Sequence, residues 1–145
     1  MTLLIESLSA ERSPLGPTEF VELTWQERSK PHRRTRTTAG TEVALALPRG
    51  TVLIDGAVLY NTSERTIAVK AKPEPVMAIY PANQLELARI AHHLGNWHRS
   101  AQLEADGSIL TEPDSPLAEW LDRQAIRHQE ETRPYHPNLR GSAHD

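Results

Sequence analysis

The sequence predicts an α+β protein with a β-rich N-terminal lobe and a second domain of mixed helices and strands. This prediction rests on a change in the hydrophobic period near the middle of the chain. Before residue 72, short apolar or alternating runs are separated by prolines and glycines, as in β-rich domains. After it, two stretches follow the period of amphipathic helices. Between these two halves of the chain, Lys72-Pro73-Glu74-Pro75 is typical of a linker.

The N-terminal lobe, residues 1–72, is expected to form a small β-sandwich or barrel. Prolines and glycines such as Pro14 and Gly50 separate its apolar runs, as turns require. The dipeptide Asp55-Gly56 lies between two apolar runs and is typical of a β-hairpin turn. The predicted strands lie within residues 3–8, 20–24, 43–47, 52–54 and 66–70.

The second domain, residues 73–133, is expected to begin with a strand at 76–80 and an amphipathic helix. Asn83 can cap this helix, and Glu86 completes a pattern that resembles a capping box. Gly95-Asn96 is typical of the end of a helix. The residues that share the apolar face of this helix are Leu87, Ile90, Ala91 and Leu94.

The remaining elements of this domain define its fold. Strands are predicted at 101–105 and 108–111, followed by a second helix capped by Ser115 and a last strand at 129–133. The order strand–helix–strand–strand–helix–strand predicts a ferredoxin-like (βαββαβ) domain. Residues 134–145 carry few apolar groups and are expected to form a flexible C-terminal tail.

The composition limits the chemistry that the protein can perform. Its 145 residues include no cysteine, so imidazole and carboxylate are the strong metal ligands that remain. With 38% hydrophobic and 5% aromatic residues, each domain can have only a modest core, and we expect an oligomer. The formal net charge of -3 argues against a protein that binds nucleic acid over its whole surface. No apolar run is long enough for a signal peptide or a membrane span, so we expect a cytoplasmic protein.

Three histidines lie within residues 92–98, and neutral imidazole suits nickel, copper and zinc. Two chelating histidines on one helix need a spacing of three or four, whereas His92 and His93 lie six and five residues before His98. One chain therefore offers no obvious local chelate. His92 is predicted to be exposed, and His93, at the edge of the apolar face, to be a hydrogen-bonded structural histidine. His98 follows the Gly95 break and is the candidate metal ligand.

The charged clusters have simpler explanations than a binding site. The basic run Arg33-Arg34-Thr35-Arg36 could contact phosphates, but such a run is more often the solvated face of a strand, and it lacks aromatics to stack bases. The acidic residues Glu104, Asp106, Glu112 and Asp114 surround a tight turn, where they usually favour solubility.

Enzyme signatures are missing from the sequence. There is no glycine-rich phosphate loop, no zinc-protease His-Glu-x-x-His motif and no nucleophile elbow, so we expect no enzymatic activity. Two other functions stay open at this point. The alternative is an RNA-binding ferredoxin-like module, and a third possibility is a metal-dependent hydrolase, for which no base is positioned by sequence.

Two motifs resemble the UreE family of urease accessory proteins. The segment His93-Leu94-Gly95-Asn96-Trp97-His98, preceded by an amphipathic helix, is similar to the family's His-Leu-Gly-Asn-Arg-His signature. Upstream, Leu47-Pro48-Arg49-Gly50 and the apolar segment 52–59 resemble the family's Leu-Pro-Arg-Gly turn and the hairpin after it. The likeness covers nearly the whole chain from about residue 20.

The resemblance implies a nickel metallochaperone of urease maturation, with Ni(II) as its cargo. His98 would lie at a two-fold interface of a homodimer and bind Ni(II) together with its symmetry mate, which supplies the imidazole that one chain lacks. The N-terminal domain would dock a partner, and the partners would be the urease apoprotein and its accessory proteins, including the GTPase. Zn(II) or Cu(II) could occupy such a site in vitro. We further expect His144, or else His136, to join the metal shell from the tail.

The sequence departs from the family pattern in three places. Trp97 replaces the arginine of the signature, next to the metal ligand. The stretch 110–114 has no histidine, so we do not expect the second, peripheral metal site of some relatives. The tail has two histidines rather than a histidine-rich run, so we do not expect bulk nickel storage.

Overall fold

The computed structural model describes residues 1–139 and divides the chain into two compact units, Met1–Lys72 and a second that begins at Pro73. Within residues 1–139, no helix is long and apolar enough to cross a membrane. The elements in chain order are β1 (Thr2–Ile5), β2 (Thr18–Leu23), α1 (Trp25–Arg28), β3 (His32–Arg36), β4 (Glu42–Ala46), β5 (Val58–Asn61), β6 (Thr66–Ala71), β7 (Glu74–Tyr80), α2 (Gln84–Asn96), β8 (Gln102–Leu103), β9 (Ile109–Thr111), α3 (Ser115–Arg123) and β10 (Arg127–Arg133).

The N-terminal unit contains two three-stranded sheets, ordered β1-β4-β3 and β2-β6-β5. Strand β1 runs parallel to β4 and β2 parallel to β6, whereas β3–β4 and β5–β6 are antiparallel pairs. Val43 and Leu45 alternate inward from β4, and Ile67 and Val69 do so from β6, so that both sheets contribute to one core. The prediction of a β-rich N-terminal lobe is confirmed.

The prediction of a hairpin at Asp55-Gly56 is wrong. Residues 52–54 form no strand, and β5, which follows the turn, pairs with β6 instead. The Leu53 N–H donates to the Arg28 carbonyl of α1 at 3.0 Å, and the Asp55 carboxylate accepts the Ala71 N–H at 2.7 Å. This apolar run therefore contributes a buried side chain to the core without joining a sheet, because its polar groups are bonded elsewhere.

The second unit has the predicted ferredoxin-like order, and its antiparallel sheet is ordered β10-β7-β9-β8. Both helices pack against the sheet through apolar side chains. Ile90 and Leu94 of α2 and Leu117 and Leu121 of α3 are buried in one cluster with Ile79 of β7. The prediction of a ferredoxin-like domain is confirmed.

The two long helices begin at side-chain caps. Asn83 caps α2 as predicted, since its side chain accepts the Glu86 N–H at 2.9 Å. Helix α3 is capped by Asp114 and not by Ser115, because the Asp114 Oδ2 atom accepts the Leu117 N–H at 2.9 Å. The predicted start of α3 is therefore corrected by one residue.

The prediction of a flexible tail from residue 134 is wrong for residues 134–139, which pack within the second unit. The Tyr135 ring is fully buried, and its hydroxyl lies 3.2 Å from the Ser100 Oγ atom. Leu139 and Ala101 form two backbone hydrogen bonds of 2.8 Å each. A segment with few apolar residues is thus fixed by one buried ring and by backbone pairing.

Candidate metal centre

The C-terminal end of α2 places His98 in a left-handed backbone conformation, with a φ of 58°. The Arg99 N–H donates to the Leu94 carbonyl at 2.8 Å, and the His98 N–H donates to the Gly95 carbonyl at 3.1 Å. This pair of bonds is a Schellman motif, in which the left-handed residue is usually glycine. Gly95 therefore lies within the helix, and the helix stop predicted there is made by His98 instead.

The His98 side chain is exposed and makes no hydrogen bond or ion pair within residues 1–139. A residue with a Cβ atom in the left-handed conformation costs roughly 1 kcal/mol relative to glycine. No hydrogen bond or ion pair of the imidazole with residues 1–139 offsets this strain. Strain of this kind at an exposed position is a reason to look for function in the side chain.

Replacing His98 with glycine should raise the free energy of unfolding by about 1 kcal/mol, because glycine adopts positive φ without the Cβ penalty. Ala125 has a φ of 57° after α3, so Ala125→Gly is the matched control and should stabilise by a similar amount. Urea unfolding of both variants measures the two changes. If Ala125→Gly stabilises the protein while His98→Gly destabilises it, the imidazole supports the fold after all.

His93 is half-buried between two tryptophans. Its ring stacks on Trp120 of α3, with ring centroids 3.8 Å apart and an interplanar angle of 10°. The Trp97 ring lies 4.1 Å from it on a tilt of 49°. The Nε2 atom of His93 is buried and has no hydrogen-bond partner among residues 1–139. The prediction that His93 is hydrogen-bonded is therefore wrong for the Nε2 atom. The role of His93 is structural, because its ring stacks on Trp120.

The pKa of His93 is lowered from its ordinary value of 6.5, mainly by burial and further by the charges of His92 and Arg123. The unfolded chain therefore takes up this proton at higher pH than the native protein does. Burial of the neutral His93 ring therefore contributes fully to stability above about pH 6.5. This contribution is lost as the pH falls toward the lower pKa of His93 in the native protein. The melting temperature should drop between about pH 7.5 and 5.5, and His93→Phe should reduce that drop. An equal drop in both proteins would contradict this prediction.

The other charged clusters have structural roles. The basic run forms the edge strand β3, in which Arg33 pairs with Glu27 and Arg36 pairs with Glu42. This agrees with the prediction that the run is the solvated face of a strand. His92 is exposed, as predicted.

The acidic residues near the β8–β9 turn are engaged separately and do not form a catalytic pair. Glu104 pairs with Arg133 at 2.9 Å, and Asp106 accepts hydrogen bonds from Ser108. Asp114 caps α3 and accepts from the Arg99 guanidinium at 2.9 Å. The role of Asp114 was missed from the sequence, although aspartate before a Ser-Pro helix start is a typical cap.

The two tail histidines are placed differently. His136 is exposed, and its N–H donates to the Gln102 Oε1 atom at 2.8 Å, so its backbone is held in place. His144 lies outside the described residues. Because Leu139 pairs with Ala101, the chain beyond Leu139 begins close to the loop that carries His98.

Residues 1–139 provide an incomplete metal shell. Within residues 1–139, no group of three or more His, Cys, Asp or Glu side chains is placed to hold a metal ion. His98 supplies one imidazole, whereas divalent transition metals in proteins usually take at least about four ligands. The donor set therefore fits a site completed by groups outside residues 1–139.

Comparison with known proteins decides the family. Residues 2–72 match the model of the UreE urease accessory protein N-terminal domain, and residues 74–145 match that of its C-terminal domain. The chain belongs to the UreE family. The urease accessory protein UreE of Deinococcus radiodurans is 39% identical over 83% of this chain and 77% of its own length. The UreE proteins of a Nostoc species and of Lysinibacillus sphaericus are 37% and 33% identical, over 84% and 88% of this chain and 83% and 86% of their own lengths.

Proposed function

We propose that this UreE-family protein is a nickel metallochaperone, which binds Ni(II) at a dimer interface and delivers it to the urease assembly complex. Membership of the urease accessory family indicates a role in urease maturation as an accessory protein and not as a catalyst. The observation that carries the nickel-binding part is His98, an exposed histidine in a strained conformation whose imidazole has no partner in the described chain. Imidazole is a suitable ligand for nickel.

The second ligand in this proposal is the same residue of another chain. A two-fold axis beside His98 would bring two imidazoles to one Ni(II), with water and mobile groups completing the shell. An incomplete protein shell lets ligands exchange readily, which suits a carrier that must release its cargo. Zn(II) and Cu(II) accept the same ligands, and Cu(II) binds them more tightly than Ni(II) does. The choice of metal in the cell would therefore depend on metal supply and on the partner.

We propose His144 as the first candidate for an additional ligand and His136 as the second. Ala101, which pairs with Leu139, follows His98 by three residues, a span of at most roughly 10 Å. His144 follows Leu139 by five residues, a span of up to roughly 17 Å. The covalent chain is therefore long enough for the His144 imidazole to meet that of His98.

The N-terminal unit is proposed to dock the partners, namely the urease apoprotein and its accessory proteins, including the GTPase. This unit has a hydrophobic core of its own, and several large apolar side chains remain exposed on it. Exposed apolar side chains are available for contact with another protein. Among them, Leu4, Leu15 and Ile54 are each more than half exposed.

The nickel stoichiometry and oligomeric state of the purified protein test this proposal together. Analytical ultracentrifugation with metal analysis should find a dimer that binds nickel through His98 at one ion per two chains. Nickel-loaded wild type should activate urease in a reconstituted assembly, and His98→Ala should not. One nickel ion per monomer, bound equally by His98→Ala, would overturn the proposal.

A further inference from the structure

We infer that helix α3 fixes the position of His98 through Trp120 and Asp114, which hold the residues on either side of it. This inference rests on the proposed role of His98 as a nickel ligand. Trp120 stacks on His93, which in turn packs against Trp97, the residue before His98. Asp114 pairs with Arg99, the residue after His98. Both are therefore positioning residues and not metal ligands.

The contact before His98 is a stack of three rings. Trp97 packs against His93 at 4.1 Å, and His93 stacks on Trp120 at 3.8 Å. The rings connect the last turn of α2 to the middle of α3, and aromatic pairs at these distances attract one another beyond their burial of apolar area. The family signature has arginine at the position of Trp97, so the three-ring stack is a feature of this sequence.

The contact after His98 is an ion pair. The Arg99 Nη2 atom lies 2.9 Å from the Asp114 Oδ1 atom, and the Asp114 side chain is only 14% exposed. The other oxygen of the same carboxylate caps α3 at the Leu117 N–H, 2.9 Å away. The Arg99 guanidinium also lies 6.0 Å from the centre of the Trp97 ring. The two residues next to His98 are thus linked to each other as well as to α3.

Helix α3 is fixed in the domain because its side chains Leu117 and Leu121 are fully buried in the core. The His98 backbone N–H is bonded to the Gly95 carbonyl, but the His98 side chain has no hydrogen bond or ion pair within residues 1–139, so beyond the helix end its location depends on its two neighbours. A ligand held before the metal arrives loses less freedom on binding. Loss of an outer-shell support typically lowers metal affinity by 10- to 100-fold.

Three variants separate positioning from folding. Trp120→Leu removes the stack but keeps an apolar side chain, and Trp120→Phe restores an aromatic ring. Asp114→Asn keeps a good helix cap, since asparagine caps as well as aspartate, but removes the charge that holds Arg99. Ile109→Val is the control, because Ile109 is fully buried in β9 and its truncation weakens the core away from His98.

Nickel titration calorimetry on the full chain should show about a tenfold loss of affinity in Trp120→Leu and in Asp114→Asn. We expect Trp120→Phe to stay within about threefold of wild type and Ile109→Val to be unchanged. In a His98→Ala background, neither positioning variant should lower the affinity further. Equal losses in Trp120→Leu and Ile109→Val, or an undiminished loss in the His98→Ala background, would overturn the inference.

A measurement without metal keeps this inference separate from the proposed function. The backbone order parameter of His98 should lie near the rigid value of about 0.85 in wild type and fall toward about 0.6 in Trp120→Leu and Asp114→Asn. If His98→Ala binds nickel like wild type, the proposed function fails, and the order parameters still test the positioning. Unchanged order parameters in both variants would overturn it.

Discussion

Replacing His98 with alanine should lower nickel affinity by at least about 100-fold, beyond the usual effect of losing an outer-shell contact. In a dimer the substitution removes two imidazoles from one metal ion, and no group of three potential ligands within residues 1–139 is placed to replace them. Isothermal titration calorimetry with nickel near neutral pH measures the change.

His92→Ala is the matched control for this prediction. His92 lies in α2, six residues before His98, and is also exposed. The His92 imidazole is available to solvent but belongs to a regular turn of helix. Its loss should leave nickel affinity within about threefold of wild type, a much smaller change than the loss of a metal ligand causes. Similar losses of nickel affinity in His92→Ala and His98→Ala would mean that nickel does not distinguish the two histidines, and the role given to His98 would be wrong.

Replacing Tyr135 with alanine should lower the free energy of unfolding by about 3–5 kcal/mol, as for other buried aromatic side chains. Tyr135 has no solvent exposure, and residues 134–139 are held partly by its ring. Its loss would leave a cavity and release the backbone pairing between Leu139 and Ala101. Urea unfolding followed by circular dichroism measures the change.

Tyr135→Phe is the control, because it keeps the ring and removes only the hydroxyl that meets Ser100. It should lower the free energy of unfolding by about 1–2 kcal/mol, because one hydrogen bond has a net value of about 1 kcal/mol and the hydroxyl also bonds to the Thr111 side chain. An unfolding midpoint of Tyr135→Ala equal to that of wild type would show that residues 134–139 do not belong to the folded domain. Truncation after Leu139 removes His144 and keeps Tyr135, so it tests His144 without disturbing residues 134–139.

The regular elements could be predicted where one periodic face is buried. Helix α2 combines a capping asparagine with apolar residues at helical spacing, and β7 is a short apolar run, so both were located from the sequence. The 52–54 segment has the same local pattern as a strand, but its bonding is decided by Arg28 and by β6, which are distant in sequence. Tyr135 was missed because one buried ring leaves no periodic pattern in a polar segment.

The candidate site could be predicted only in part. Histidine spacing argued against a chelate within one chain and left His98 as the candidate ligand, and the family resemblance added the two-fold site. The left-handed conformation of His98 could not be predicted, since Gly95-Asn96 has the usual composition of a helix end. The Trp120–His93 stack joins two helices that are separated in sequence, so no local pattern could reveal it.

Anomalous diffraction at the nickel absorption edge, from crystals of the nickel-loaded protein, tests the central claim most directly. We expect one nickel peak between two chains, about 2.1 Å from a His98 imidazole nitrogen of each, as is usual for imidazole on a divalent transition metal. A nickel peak bound within a single chain, or one with no His98 nitrogen at bonding distance, would contradict it.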